Sequence, residues 1–403
     1  MATSISAPRP SALGGRTLPL GVAALYVTLV GLDLRPGIVS IGPLMISLSK
    51  AFGLSHTLAA LLTAIPDVLM GGLAIVSPAL ARRYGRDRVI LAALLLLFVA
   101  SASRSFVDTR AGLFLSTAGV GAGIAIAGAL VGGFVKAALP QRPALLIGVY
   151  TAALSLGSTL AAGVTGPVAV AAGTWRPAAF IWSMLGLPAL AAWIYVERRA
   201  VDRRGTSSAR IPFPVRNARA WLIGTFFAAQ NFLFYAIISW IVPVYVDFGV
   251  SPVAAGLVLA EFTGSFFVAN IVAGMLSRQN DRRLLLALFA ALAATGTFAL
   301  AIVPTVAPSV TVPAIAFGLG GCFTLGMTLP LDATGNADEA NVWGAFMTLI
   351  AYLIAATGPV LVGAIRDATG TFSGALWLLF AIGLLMVAHT PFLGGLGRQT
   401  RAD

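Results

Sequence analysis

Asp33 and Arg35 stand two residues apart inside an apolar stretch running from Leu18 to Leu48. A guanidinium at the centre of a membrane helix costs roughly 2.5–3.5 kcal/mol on an insertion scale. A charge at that depth must therefore face a cavity, a partner or a bound solute. Arg35 does not deprotonate, and its planar fork suits a carboxylate or a small linear or planar anion. Pro36 follows it, has no N–H to donate, and opens the turn beside it. Three acids lie within apolar segments: Asp33, Asp67 and Glu261. A carboxyl kept from water can hold a proton near neutral pH, so one of the three could exchange a proton as part of a coupled cycle. Arg35 could equally pair with one of them to hold helices together. Residues two apart on a helix point to different sides, so Asp33 and Arg35 do not simply face each other.

Elements that could position these groups follow from composition. The 403 residues are 58% hydrophobic and 10% charged, with a mean hydropathy of +0.93. Soluble domains carry about 25% charged residues, so lipid is the solvent for most of this surface. Twelve apolar segments can be drawn, at 18–49, 55–81, 88–103, 111–136, 143–172, 177–196, 219–247, 252–277, 284–303, 310–333, 341–365 and 375–393. Each suits a hydrocarbon core of about 30 Å. The fold class expected is an all-α membrane protein of twelve transmembrane helices. With the N-terminus inside, twenty of the 26 Lys and Arg residues fall in cytoplasmic segments. Five fall outside (Lys50, Arg104, Arg110, Arg176 and Arg366), and Arg35 lies within a span. The positive-inside rule then puts both termini in the cytoplasm. The net charge of +12 is accounted for by topology, so no nucleic-acid partner is expected.

Other chemistry is excluded by what the chain lacks. His56 and His389 are far apart and have no metal-ligand spacing. Cys322, the one cysteine, lies in an apolar run and reads as a packing residue. No Gly-rich nucleotide loop with a following Lys and no nucleophile motif is present. No enzyme, cofactor or metal is expected, and the missing nucleotide loop argues against a primary pump.

The chain divides into a tail at 1–17, a six-helix half at 18–196, a basic linker at 197–218, a second half at 219–393 and a tail at 394–403. The halves echo one another. Phe52-Gly-Leu-Ser55 recurs as Phe248-Gly-Val-Ser251, Asp87-Arg88 as Asp281-Arg282, Thr165-Gly-Pro-Val168 as Thr357-Gly-Pro-Val360, and Gly173-Thr174 as Gly370-Thr371. Similar offsets in chain order mark a duplicated six-helix unit with both copies in one orientation.

With its basic loop after the second span, this organisation resembles the major facilitator superfamily. The loop reads Pro78-Ala-Leu-Ala-Arg82-Arg83-Tyr-Gly85-Arg86-Asp87-Arg88. Arg83, Gly85 and Arg86 fit the family signature, while Pro78 and Arg82 replace its glycine and aspartate. Within the superfamily the chain is similar to the cyanate permease and 2-nitroimidazole transporter family. That similarity rests on Leu34-Arg35-Pro36 with Gly42-Pro43, on 59–66 with Gly71-Gly72, and on Gln230-Asn231-Phe-Leu-Phe-Tyr235 with Trp240. Asp33 stands where a neutral amide is expected and Asp67 where an apolar residue is expected.

The resemblance implies a secondary transporter of a small polar or anionic solute, working by alternating access as a monomer, with lipid and protons as partners. Its site would lie at mid-depth among spans 1, 4, 7 and 10. Arg35 leads the substrate-binding set. Gln230 and Asn231 diverge by about 100°, so one could line the cavity while the other bonds a neighbouring helix. Tyr235 and Trp240 could wall a pocket for a flat ligand. Arg83, Gly85, Arg86 and Asp332 fall to gating or loop pairing. Two alternatives stay open: a proton-driven exporter of apolar or cationic drugs, favoured by Asp33 and Asp67, and a non-transporting receptor.

Overall fold

A computed structural model describes residues 20–138, 143–199, 212–277, 282–335 and 337–393. The tails and most of the linker lie outside these. Eleven helices among the described residues are long and apolar enough to cross a membrane. Arg86–Arg104, with Arg86, Asp87 and Arg88 crowding its first turn, makes the twelfth. Span 1 is broken into Leu20–Leu34, Pro36–Val39 and Ile41–Phe52; spans 2 to 5 are His56–Tyr84, Arg86–Arg104, Arg110–Ala138 and Pro143–Ala172. Span 6 runs through Trp175–Phe180, a 3-10 stretch at Ile181–Leu185 and Gly186–Arg199. Spans 7 to 9 are Ala218–Asp247, Pro252–Leu276 and Arg283–Ile302. Span 10 joins Pro308–Gly326 to Leu329–Ala333, span 11 joins Ala337–Ala355 to Thr357–Thr369, and span 12 is Ser373–His389. The chain is a multi-pass membrane protein, and large apolar side chains such as Leu115, Met275 and Leu284 stand exposed on its flanks.

The Phe-Gly-x-Ser echo becomes the same local turn in both halves, while Thr165-Gly-Pro-Val168 lies within one unbroken helix and Thr357-Gly-Pro-Val360 starts a new one. Gly53 and Gly249 both have positive φ, 58° and 85°. In each turn the next N–H reaches back five residues, Leu54 to the Ser49 carbonyl and Val250 to the Tyr245 carbonyl, both at 2.9 Å. Ser55 and Ser251 then cap spans 2 and 8, accepting from Leu58 and Ala254 N–H. Packing repeats as well. Span 1 packs on span 5 as span 7 packs on span 11, and spans 3 and 4 pair as 9 and 10 do. Across the halves, span 5 meets span 8 and span 2 meets span 11, while span 7 is buried along most of its length.

The connections fall at two faces. One carries Lys50, His56 and Arg366 and is called the Lys50 face; the other carries Gly85 and Arg282 and is called the Arg86 face. Close approach of the halves near the Lys50 face depends on Gly42. A Cβ there would lie 2.5 Å from the Ile238 carbonyl oxygen of span 7. Backbone cannot yield as a side chain does, so Gly42→Ala is expected to cost about 1–3 kcal/mol, read as a lower melting temperature in detergent. An unchanged melt would mean that the halves do not approach so closely.

Of the five cations expected outside, Arg104 does not stand in solvent: it is 3% exposed and turned into the first half. Arg110 donates to the carbonyls of Phe52 and Gly53, and Arg176 to the Ser105 carbonyl and Asp108. Cys322 is fully buried.

Candidate functional site

The break in span 1 follows from Pro36. Lacking an N–H, it leaves the Leu32 carbonyl without its helical donor, and span 5 passes close by, because a Cβ on Gly157 would sit 2.6 Å from that oxygen. Arg35 occupies the junction with φ −99° and ψ −36°. Its Nη1 donates to the Tyr235 hydroxyl of span 7 at 3.2 Å. Tyr235 is buried and its ring packs on Tyr352 of span 11, centroids 5.9 Å apart. Tyr352 and Tyr150 of span 5 are the other phenols in the neighbourhood of the guanidinium. Both are half-buried, as is Arg35. Opposite Tyr150, Gly128 of span 4 leaves room: a Cβ there would lie 3.8 Å from the phenol oxygen.

Asp67 of span 2 is fully buried, and neither carboxyl oxygen has a hydrogen-bond partner. It lies in the field of Arg35, yet the two form no ion pair among the described residues. One turn before Asp67, Thr63 accepts from Ser239 of span 7 at 2.9 Å, tying the halves beside the site. The arrangement is one fixed cation, three phenols and one carboxyl without a partner, drawn from spans 1, 2, 5, 7 and 11. The expected set of spans 1, 4, 7 and 10 differs from this because the bulky polar side chains come from spans 2, 5 and 11. Span 4 contributes a glycine.

Other expected site residues lie elsewhere. Gln230 donates to the Leu319 carbonyl of span 10 at 3.2 Å and accepts from Asn231, which also donates to the Phe227 carbonyl. Both are buried and knit span 7 to its surroundings. Asp33 points away from Arg35 towards span 6, where a Cβ on Gly186 would lie 3.6 Å from its Oδ1; its Oδ2 has no partner. Glu261 is exposed and accepts from Ser309 at 3.1 Å, so it does not join the Arg35 group. Trp240 donates to the Pro359 carbonyl at 2.8 Å and faces the Lys50 face instead of the phenols.

At the Arg86 face, Gly85 has φ 90°, which only glycine adopts readily. Arg86 bonds Asp87 and the Gly133 carbonyl of span 4, while Arg83 lies exposed over the Tyr84 ring. Asp332 pairs with Arg282, which also bonds Thr328 and Ser277.

Sequence reasoning missed Tyr150 and Tyr352. Their signal was depth, since tyrosines favour membrane interfaces and these two sit well inside spans. It also missed a latch at the Lys50 face. There Asp367 of span 11 caps the start of span 2: Oδ1 takes His56 N at 2.9 Å and faces His56 Nδ1 at 2.7 Å. Its Oδ2 takes Thr57 N at 2.8 Å and the Thr57 hydroxyl at 2.7 Å. Neighbouring Arg366 pairs with Asp247 at 2.9 Å and lies over the Phe372 ring. Above the latch, Lys50, His56, Trp240, Asp247 and Arg366 line a vestibule of about 500 Å³.

The family model described as Major Facilitator Superfamily matches residues 28–359. The chain is 32% identical to the cyanate transport protein CynX of Escherichia coli (strain K12), covering 90% of this chain and 95% of that one. It is 28% identical to the 2-nitroimidazole transporter of the same organism, covering 89% and 92%. The solved D-xylose–proton symporter shares the fold, with a TM-score of 0.72 at 16% identity over 95% of this chain and 98% of that one.

Proposed function

The chain belongs to the major facilitator superfamily, and from that premise we propose that it carries a small polar or anionic solute, a cyanate-like anion or a nitroimidazole-like heterocycle, across the cytoplasmic membrane. The observation that carries this reading is Arg35. It lies at the broken centre of span 1, has no carboxylate partner among the described residues, and has three phenols about it. A guanidinium fork meets two acceptor atoms in a plane. Carboxylates offer these, and so does the nitro group of a nitroimidazole. Cyanate offers an acceptor at each end. The printed names of the two relatives add support.

Transport proceeds by alternating access, with both termini cytoplasmic and the halves 18–196 and 219–393 as moving units joined by 197–218. The protein works as a monomer. The Lys50 face is then outside, and the latch made there holds that face together at this stage of the cycle. Asp67 is the proton carrier. Its negative charge balances Arg35 when the site is empty; when an anion occupies Arg35, protonation of Asp67 keeps the net charge unchanged, so anion and proton enter together. Gln230 and Asn231 fix span 7 against span 10 and so help to hold Tyr235 in place, and Trp240 lies between the site and the Lys50 face. Asp33 and Glu261 serve as ion-pair or secondary proton groups in other stages. Arg83, Gly85, Arg86 and Asp332 hold the cytoplasmic loops.

A second reading, a proton-driven exporter of apolar or cationic compounds, rests on the partnerless carboxyl oxygens of Asp33 and Asp67. One experiment separates the two. Proteoliposomes are given labelled cyanate, small carboxylates, 2-nitroimidazole or a lipophilic cation, with and without an inward proton gradient. Anion or nitroimidazole uptake that the gradient drives above equilibrium is expected. In Asp67→Asn, downhill exchange should persist while accumulation is lost. Flux of the cation alone would overturn the anion reading and support the exporter. Accumulation that survives in Asp67→Asn would remove Asp67 from the proton path.

A further inference from the structure

Arg104 has no role in the site just described. It ends span 3 at the Lys50 face, yet its side chain is 3% exposed. Nη1 donates to the Gly37 carbonyl at 2.8 Å, Nη2 reaches Thr117 of span 4 at 3.5 Å, and Nε has no partner. Among the described residues no carboxylate pairs with it. Burying a guanidinium without a counter-charge is strongly unfavourable, and an aliphatic side chain could fill the same space without that cost.

What this charge holds is the four-residue turn Pro36–Val39, which joins two longer pieces of span 1 directly after Arg35. The turn is tight, with the N–H groups of Ile38 and Val39 both pointing back to the Arg35 carbonyl. Gly37 presses the turn against its neighbours: a Cβ there would lie 2.9 Å from Val120 Cγ1 and 3.8 Å from Ser101 Oγ. Glycine lets the turn approach spans 3 and 4, and Arg104 then hooks its carbonyl.

We propose that Arg104 is a positioning residue for Arg35, fixing the rotation of the Pro36–Val39 turn and with it the direction in which the Arg35 guanidinium leaves span 1 towards Tyr235. The proposal rests on Arg35 as the solute anchor, because a binding group is useful only when its support holds it to within about 0.5 Å. Only Pro36 lies between Arg35 and Gly37, whose carbonyl is hooked, so few bonds lie between support and anchor.

The test uses the full-length protein in lipid nanodiscs, as wild type, Arg104→Met and Arg104→Lys. Without any solute, hydrogen exchange over residues 36–41 is expected to quicken about tenfold in Arg104→Met, with spans 8 to 10 unchanged. Modification of Arg35 by phenylglyoxal, read by mass spectrometry, should quicken several-fold as its bond to Tyr235 loosens. Arg104→Lys, which keeps one donor for Gly37, should fall between the two in both measurements, and it decides the matter if the Met variant does not fold. In proteoliposomes the half-saturation concentration for cyanate should rise about tenfold in Arg104→Met with the maximal rate little changed. Unchanged exchange and labelling would overturn the proposal. So would faster exchange with Arg35 labelling unmoved, since Arg104 would then support the turn without acting on Arg35. If wild type takes up no anion, the transport reading fails, while exchange and labelling still decide what Arg104 does.

Discussion

Arg35→Gln is expected to lower anion uptake at sub-saturating concentration by about two orders of magnitude. Removing one partner of a buried, hydrogen-bonded charge pair costs about 2–5 kcal/mol, and tenfold corresponds to about 1.4 kcal/mol. Glutamine keeps a donor for the Tyr235 hydroxyl, so the contact between spans 1 and 7 can survive while the charge is lost. Arg35→Lys should fall between, because an ammonium keeps the charge but not the planar fork. The measurement is initial uptake of labelled cyanate or 2-nitroimidazole across a concentration series, with monodispersity and melting temperature as controls for folding. Anion flux that survives intact in a well-folded Arg35→Gln protein would remove Arg35 from the solute path. The phenols would then have to bind a neutral solute without it.

The second large effect is expected at the latch. Asp367→Asn should shift the conformational balance towards opening of the Lys50 face by about ten- to thirty-fold. The carboxylate receives two backbone N–H groups and the Thr57 hydroxyl and faces His56 Nδ1, all from the opposite half. Hydrogen bonds to a charged group contribute about 1.5–3 kcal/mol, and partial exposure of both partners places this one near the lower end. The carboxylate also favours the positive end of the span 2 helix, and an amide loses that attraction. His56 packs its ring on Trp240 and Phe372, with centroids 5.7 and 6.1 Å apart, so release of the capped turn should loosen the aromatic layer as well. Spin labels on spans 2 and 11 near this face would report the change as a longer distance population. The same distance distribution in wild type and Asp367→Asn would show that aromatic packing and the Gly42 contact keep the face shut without the cap.

Arg35 was legible in the sequence for the same reason that it matters: a charge inside the apolar stretch from Leu18 to Leu48 is too costly to be incidental. Asp67 was legible on the same ground. Their relation was not. Residues 35 and 67 lie on different spans, and whether two side chains meet depends on the rotation of each helix about its axis, which the packing of many weak contacts fixes. Gln230 and Asn231 show the limit well. Their divergence on one helix was clear, but that Gln230 would take the Leu319 carbonyl 89 residues away was decided by where span 10 lies. Sequence puts Arg104 in the outside set because it gives a residue's level in the membrane; that the side chain turns inward is a matter of azimuth, which it does not give. The latch is the extreme case, as His56 and Asp367 stand 311 residues apart and each looks like an ordinary residue at a span end.

By itself the sequence determined the solvent, the span lengths and the doubled six-helix plan. Lipid allows no unpaired backbone, so apolar length largely sets where helices run, and the repeated Phe-Gly-x-Ser turns use the same left-handed glycine and serine cap in both halves. Tertiary structure alone decided which faces of those helices look at one another. That choice brought Tyr150 and Tyr352 to Arg35, left Asp67 without a partner, and set Asp367 on the start of span 2. Side-chain encounters between halves cost nothing to write in sequence and are made only by close packing in three dimensions.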